Sequence, residues 1–141
     1  MLFVSFVVKY CPQNYTYLNP HTSKMKILHI LDHSLPLHSG YTFRSQNIFK
    51  AQQQMGYTPV ILTSPKHEES LKKNTPEKEQ INGFTYYRTG PTARSPLPVV
   101  SELALMRALY QRIIQVADME HPDIIHAHSP VLNAIPAIRA A

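Results

Sequence analysis

Residues 26–40 read KILHILDHSLPLHSG, an apolar run followed by a polar loop that ends in glycine. The run at residues 26–31 predicts a short buried β-strand. Asp, Ser, Pro and Gly in residues 32–40 predict a loop. A helical pattern then extends from Tyr41 to Met55. A strand, a loop and a helix in this order are typical of the first unit of an alternating α/β fold.

The rest of the chain repeats this alternation. Strands are predicted at residues 58–63, 84–88 and 123–128, and a long helix at residues 99–119. A last helix is expected to begin after Asn133 as its N-cap. The resulting order, β-α-β-β-α-β-α, predicts an α/β fold: a Rossmann-like, doubly wound parallel sheet covered on both faces.

The helices and connections between these strands have patterns of their own. The charged segment at residues 64–80 predicts a surface loop, and residues 81–84 (INGF) predict a turn. Gly56 is expected to end the first helix. The predicted core faces are Ile48, Ala51 and Met55 on the first helix, and Leu103, Met106, Tyr110, Ile113 and Val116 on the second.

Residues 1–24 do not follow the alternating pattern. They have no periodicity, no basic n-region and no small-residue cleavage site, so we expect a non-domain extension. A misassigned start is the preferred interpretation, and a disordered native tail or a degenerate targeting segment are the alternatives. Residues 25–141 are expected to form one incomplete domain, because the predicted strands are fewer than the five or six usual in such sheets.

Composition excludes several classes of protein. The chain of 141 residues has a formal net charge of +5, which permits contact with phosphates or lipid head groups. The sequence contains no basic patch with interleaved aromatic residues, so it does not indicate a nucleic acid as a partner. The single cysteine cannot form an internal disulfide, and no apolar run has the length of a membrane span. A cytoplasmic location, with possible peripheral contact at the inner face of the membrane, is therefore expected.

Two loops are expected to face each other where the sheet reverses its strand order. Asp32–Gly40 follows the first strand and His128–Asn133 follows the last, and ligands bind in the crevice at such a switch point. Gly40 opens a helix whose free N–H groups could receive a diphosphate, although a plain turn glycine is the alternative. His128 ends the last strand, where it could donate a hydrogen bond or act as an acid or base.

Further side chains near this crevice have a functional and a structural interpretation. Asp32 could hold an acceptor hydroxyl or cap its loop, and His33 and His38 could line the crevice or be solvated. Arg44 could reach a phosphate or lipid head group, or lie on a solvated face. His126 shares a face with His128 and is interpreted as a hydrogen-bonded core histidine.

Three stretches resemble the N-terminal domain of family 4 glycosyltransferases. They are MKILHILDHSLPLHSGYTF (25–43), GYTPVILTSPKH (56–67) and PDIIHAHSPVLNAIPA (122–137). The narrower similarity is to bacterial glycosyltransferases associated with the exosortase A system of exopolysaccharide loci. DIIHAH is a moderately specific family feature, whereas LDHSLPLHSGYTFR together with HAHSPVLNA is more specific to the subgroup.

The resemblance implies a GT-B fold, in which two Rossmann-like domains face a cleft. It implies a retaining transfer from a nucleotide-sugar to a glycan or lipid-linked acceptor, without a cofactor or required metal. Gly40 matches the glycine that approaches the donor diphosphate, and His128 matches the histidine near the reacting sugar. Ser39 replaces the usual first glycine. The E-x7-E motif of the donor-binding domain is absent, so the chain alone is expected to be inactive.

Two other classes of function are compatible with the sequence. A metal-dependent hydrolase could use His126 and His128 as ligands, with His33 or Asp32 as a third. A non-catalytic Rossmann-like binding domain is the other alternative. Metal analysis of the purified protein tests the first of these alternatives.

Overall fold

The computed structural model describes residues 6–9, 24–71, 75–93, 95–129 and 131–141. These residues form a six-stranded sheet and four helices. The strands are β1 (Phe6–Lys9), β2 (Lys26–Leu31), β3 (Thr58–Thr63), β4 (Lys78–Ile81), β5 (Phe84–Arg88) and β6 (Ile124–Ala127). The helices are α1 (Gly40–Gln54), α2 (Lys66–Leu71), α3 (Pro98–Glu120) and α4 (Ala134–Ala140).

The sheet has the strand order β1-β6-β2-β3-β5-β4. Its four inner strands, β6, β2, β3 and β5, are parallel to one another. Both edge strands, β1 and β4, are antiparallel. The predicted α/β alternation is confirmed for the inner strands, but the sheet as a whole is mixed rather than parallel.

The two edge strands come from segments for which the sequence predicted no strand. β1 lies within the segment 1–24 that was expected to remain outside the domain, and it pairs with β6 from Phe6↔Ala127 to Lys9↔Ile124. Residues 1–5 and 10–23 of that segment lie outside the described residues. Three of the four β1 side chains are exposed, so pairing with the edge of β6, rather than side-chain burial, places this strand.

The charged segment at residues 64–80 is not the continuous loop that was predicted. It contains α2 and most of β4, which forms an antiparallel hairpin with β5. Its strand was missed because KEQI has mostly charged and polar residues, as an edge strand tolerates. The predicted turn is confirmed, and Asn82 and Gly83 have φ angles of 53° and 81°, as in a type I′ hairpin turn.

The buried face of α1 differs from the prediction. Ala51 and Met55 are exposed, whereas Thr42, Ser45, Gln46 and Phe49 are buried. Gln46 donates a hydrogen bond to the Tyr86 hydroxyl of β5, whereas the Thr42 and Ser45 hydroxyls have partners at the N-terminus of the helix itself, Ser39 and the Tyr41 carbonyl oxygen. Ile48 is half-buried and packs on the core as predicted, so apolar periodicity located one of the three predicted residues and missed the polar side chains that this helix buries.

The long helix α3 was predicted correctly in extent but only partly in its buried face. Ile113 and Val116 are buried, as expected, but Leu103 is 60% exposed. The packed face instead includes Leu105 and Leu109. The side chains of residues two positions apart in an α-helix point about 200° away from each other around the helix axis. A face that contains Leu105 therefore excludes Leu103.

Apolar side chains cover both faces of the sheet. One layer joins β2, β3 and β6 to α3 and α4, and it includes Leu28, Leu109 and Ile125. The other layer lies on the α1 side and includes Leu31, Phe49 and Tyr86. The region between the sheet and α1 also holds the polar cluster described next.

Candidate functional site

The chain reverses its direction of travel across the sheet between β2 and β6. Helix α1 leads from β2 to β3 on one side, and α3 leads from β5 back to β6 on the other side of β2. The carboxyl ends of β2 and β6 are therefore neighbours, and this is the position where ligands bind in open α/β sheets. The predicted meeting of the loops at residues 32–40 and 128–133 is confirmed.

Asp32 joins the two loops. Its Oδ2 accepts a hydrogen bond from the Ser129 hydroxyl, and its Oδ1 accepts one from Asn133 Nδ2 at 3.2 Å. Asn133 stands at the N-cap position of α4, as predicted, but its side chain makes no capping hydrogen bond. The Asp32 carboxylate thus has a structural role, which is to hold the two sides of the crevice together.

The start of α1 forms one wall of the crevice. Ser39 is the N-cap: its hydroxyl oxygen accepts a hydrogen bond from the Thr42 backbone N–H at 3.1 Å and lies 3.0 Å from Nε2 of His33. Gly40 is the first residue of the helix, and no atom lies within 4 Å of where a Cβ would stand. The helix N-terminus, with its partial positive charge, is open at this glycine.

The remaining predicted crevice residues occupy different positions. His33 is half-buried, and its ring lies 4.8 Å from the Tyr41 ring. Burial lowers the pKa of His33 by more than the negative charge of Asp32 raises it. His38 is exposed and stacks on Phe43 at 5.7 Å. Arg44 is exposed on α1, and its charge lowers the pKa of His128 as a minor cause.

Three histidines form a cluster between the sheet and α1. One ring nitrogen from each of His29, His126 and His128 lies within 4.8 Å of the others. Nδ1 of His29 is 2.9 Å from Nε2 of His128, and the rings of His126 and His128 stack at 4.2 Å. His29 is fully buried, and the other two are half-buried.

His29 was not among the predicted site residues. In the parallel register it lies directly opposite His126, so both side chains project from the same face of the sheet. The signal was present in the sequence, because the two strands KILHIL and DIIHAH each contain an inward histidine. Recognising it requires the pairing register, which spacing within one strand does not supply.

Hydrogen bonding fixes the tautomers of two of these rings. Nε2 of His29 is 2.8 Å from the Gln52 side-chain oxygen, an acceptor, so this nitrogen holds the proton. Nδ1 of His29 is then an acceptor and receives the Nε2–H of His128. The other nitrogen of His128, Nδ1, is consequently unprotonated and available to accept a hydrogen bond.

His126 differs from its predicted role. We expected a hydrogen-bonded core histidine, but its Nε2 is buried and has no hydrogen-bond partner. A buried polar atom without a partner is uncommon in folded proteins and requires an explanation. The histidine with the complete set of internal partners is His29 instead.

The three rings are neutral at physiological pH. Burial is the largest cause in each case: it lowers the pKa of His29 to about 3 and that of His128 to about 2, and it lowers the pKa of His126. Like-charge repulsion between the rings adds to the effect for His29 and His128. Neutral imidazole can accept a hydrogen bond or ligate a metal without first losing a proton.

The site thus combines an open helix N-terminus, two joined loops and a cluster of neutral histidines at one switch point.

Among the residues that the structure describes, no helix has both the length and the apolar character needed to cross a membrane. Comparisons with protein-family models, with curated proteins and with solved structures found no match.

Proposed function

We propose that this chain is the Rossmann-like, acceptor-side domain of a retaining glycosyltransferase of the GT-B type. Such an enzyme transfers a sugar from a nucleotide-sugar to a glycan or lipid-linked acceptor, here in exopolysaccharide synthesis. The observation that supports this best is the switch-point crevice, where the Tyr41 ring at the start of α1 lies 6.5 Å from the ring of His128, which directly follows β6. The resemblance of the same two stretches to family 4 glycosyltransferases supports it independently.

In this proposal the donor diphosphate lies at the N-terminus of α1. Gly40 leaves the backbone open, and the helix dipole favours an anion at this end. The Ser39 hydroxyl is already engaged as the N-cap, so Ser39 would contact the diphosphate through its backbone N–H. Arg44, exposed on the same helix, contributes positive charge near this end.

His128 is proposed to act on the reacting sugar as a hydrogen-bond acceptor. Its Nε2–H is donated to His29, so the nitrogen left for a sugar hydroxyl is the unprotonated Nδ1. A hydrogen bond that strengthens as charge develops lowers the barrier to transfer. Burial holds the ring neutral, and this preserves the acceptor at physiological pH.

Transfer in a GT-B enzyme also requires a second Rossmann-like domain that binds most of the nucleotide-sugar. Donor and acceptor must be held in one geometry, and this positioning supplies a large part of the rate enhancement. The 141 residues alone are therefore expected to bind a nucleoside diphosphate weakly and to transfer no sugar. A lipid-linked acceptor would bring the complete enzyme to the inner face of the membrane.

A single methyl group tests the diphosphate site. Gly40→Ala places a Cβ in open space, so the fold should tolerate it while the methyl group obstructs a ligand that approaches the backbone. We expect calorimetric affinity for UDP and GDP to fall by about tenfold, equivalent to about 1.4 kcal/mol. The matched control is Gly90→Ala, which also meets no atom within 4 Å.

The control decides the interpretation of this experiment. If Gly40→Ala and Gly90→Ala bind nucleoside diphosphates as the parent chain does, the helix N-terminus is not the diphosphate site. If the parent chain shows no saturable binding, the proposed donor contact is wrong. Thermal unfolding of both variants checks that neither has lost its fold.

A further inference from the structure

The cluster of His29, His126 and His128 has the composition and spacing of a metal site. Three ring nitrogens lie within 4.8 Å of one another, and the register places His29 and His126 opposite each other on the same face of the sheet. In a tetrahedral site with Zn–N bonds of about 2.0–2.1 Å, ligand nitrogens are about 3.3 Å apart. The pair at 2.9 Å would open by a few tenths of an ångström, and the widest separation, up to 4.8 Å, would close by up to about 1.5 Å.

The unpartnered nitrogen of His126 is an independent indication of a ligand. Its Nε2 is buried and makes no hydrogen bond, although the rings of His29 and His128 lie against it. A buried acceptor or donor left without a partner is unfavourable by about 1–3 kcal/mol. Coordination of a cation would remove this penalty.

Gln52 supplies the contact that a metal-binding histidine requires at its second nitrogen. Its side-chain oxygen lies 2.8 Å from Nε2 of His29 and thereby holds the proton on that nitrogen. Nδ1 of His29 therefore directs its lone pair at the cluster, where it accepts the Nε2–H of His128 in the metal-free chain. Outer hydrogen bonds such as the one to Gln52 orient a ligating ring and raise its basicity.

From these three observations we propose that His29, His126 and His128 bind a transition-metal ion, with Zn²⁺ as the best fit. The ligand from His29 is Nδ1, and each of the other two rings supplies one nitrogen. Imidazole nitrogens suit zinc, copper, iron and nickel, whereas magnesium and calcium prefer oxygen. The evidence for this site is independent of the glycosyltransferase function, for which no metal is expected; a bound ion would replace the hydrogen bond between His29 and His128 on which the proposed acceptor role of His128 depends.

Three protein ligands leave a fourth position open, as in catalytic zinc sites. Binding would replace the hydrogen bond between Nδ1 of His29 and Nε2 of His128, and the proton on that Nε2 would move to Nδ1 of the same ring. The Arg44 guanidinium, whose charge acts on both His126 and His128, has the same sign as the ion. It therefore favours an anionic fourth ligand, such as hydroxide, phosphate or a carboxylate.

Metal binding can be measured directly on the 141-residue chain. After removal of metal with a chelator, the protein is titrated with Co²⁺ and then with Zn²⁺, and visible absorption is recorded. We expect the intense visible bands of tetrahedral Co²⁺ at about one ion per chain, and their loss when Zn²⁺ displaces it. Zn²⁺ should also raise the midpoint of thermal unfolding.

Three variants separate this site from adventitious binding. His126→Gln removes a ligand whose Nε2 has no internal partner, and it should weaken binding by more than about 100-fold. Gln52→Met keeps all three ligands but removes the outer acceptor, and it should weaken binding by about 10–100-fold. His38→Asn, at the exposed His38 outside the cluster, should bind as the parent does.

The Co²⁺ absorption of the parent chain and of the variants decides for or against the metal site. Tetrahedral Co²⁺ bands that are lost in His126→Gln and retained in His38→Asn support it. Absence of these bands in the parent chain overturns it, and so does equal binding by the parent and His126→Gln. If His126→Gln fails to fold, Gln52→Met decides, and unchanged affinity in that variant contradicts the assignment of His29 as a ligand.

Discussion

At the scale of single residues, burial of neutral imidazoles makes the fold sensitive to acid. The folded-state pKa values of His29 and His128, about 3 and about 2, lie below the ordinary value of 6.5. At pH values between the folded-state pKa and the ordinary pKa of each ring, the unfolded chain binds more protons than the folded chain. The contribution of these two neutral rings to the free energy of unfolding is therefore fully present above about pH 6.5. It is lost as the pH falls toward their folded-state pKa values.

The size of this effect can be predicted. Each ring should lower the free energy of unfolding by about 1.4 kcal/mol per pH unit below its ordinary pKa. Urea unfolding between pH 7 and pH 5, with a chelator present so that bound metal does not contribute, measures the slope. His128→Asn should reduce the slope by about one proton. A slope that is the same in His128→Asn and the parent would show that this ring is not held neutral by the fold.

A second residue-scale prediction concerns the buried guanidinium of Arg88. It is 1% exposed, donates to Ser34 and to the Leu35 carbonyl oxygen, and forms a 2.6 Å ion pair with Glu79. Glu79→Gln removes the only negative charge in this ion pair, and we expect a loss of about 2–3 kcal/mol in urea unfolding, since Glu79 is partly exposed.

The control for Glu79 is the neighbouring ion pair between Glu77 and Arg112. Glu77 is 85% exposed and its carboxylate lies 3.4 Å from the guanidinium, so Glu77→Gln should change stability by less than about 1 kcal/mol. Equal losses in Glu79→Gln and Glu77→Gln would mean that burial of Arg88 does not depend on its partner.

At the scale of elements, the hairpin between β4 and β5 depends on backbone conformation at one glycine. Gly83 has a φ of +81°, which is unfavourable for any residue with a Cβ, yet no atom lies within 4 Å of that position. Gly83→Ala should therefore destabilise the protein by about 1–2 kcal/mol through strain alone.

Gly90 is the matched control for this substitution. It also has open space around the Cβ position but lacks the left-handed φ, so Gly90→Ala should be neutral or stabilising by about 0.4–1 kcal/mol. Chemical denaturation of the two variants measures the difference. A Gly83→Ala variant as stable as Gly90→Ala would show that the hairpin relaxes to another turn.

The inner strands could be predicted from sequence because each is a compact apolar run between polar connections. β2 and β3 have the predicted bounds, 26–31 and 58–63, as does β5 at 84–88. β4 could not be predicted in this way. Its residues, KEQI, satisfy their backbone hydrogen-bonding groups by pairing with β5, and an edge strand of this kind needs no apolar face. The buried face of α1 could not be predicted either, because Gln46 is buried through a hydrogen bond to Tyr86 rather than through apolar contact.

At the scale of the whole molecule, strand order decides which residues meet. The switch point between β2 and β6 could be anticipated, because right-handed crossovers return the chain to the other side of the first strand. The loops at Asp32 and His128 were therefore placed together correctly. His126 and His128 were paired from the sequence as candidate ligands, but His29 was not placed with them, in the position given to His33 or Asp32, because its place depends on the register His29↔His126.

The most direct test of the proposed function is the location of nucleotide-sugar binding on the chain. Backbone amide NMR spectra are recorded while UDP- and GDP-sugars are added, with Gly40→Ala in parallel. We expect saturable shifts in residues 32–44 and 128–133, reduced in the variant. Absence of saturable shifts would contradict the account, as would shifts confined to the cavity of about 450 Å³ that Arg88 and Arg112 line.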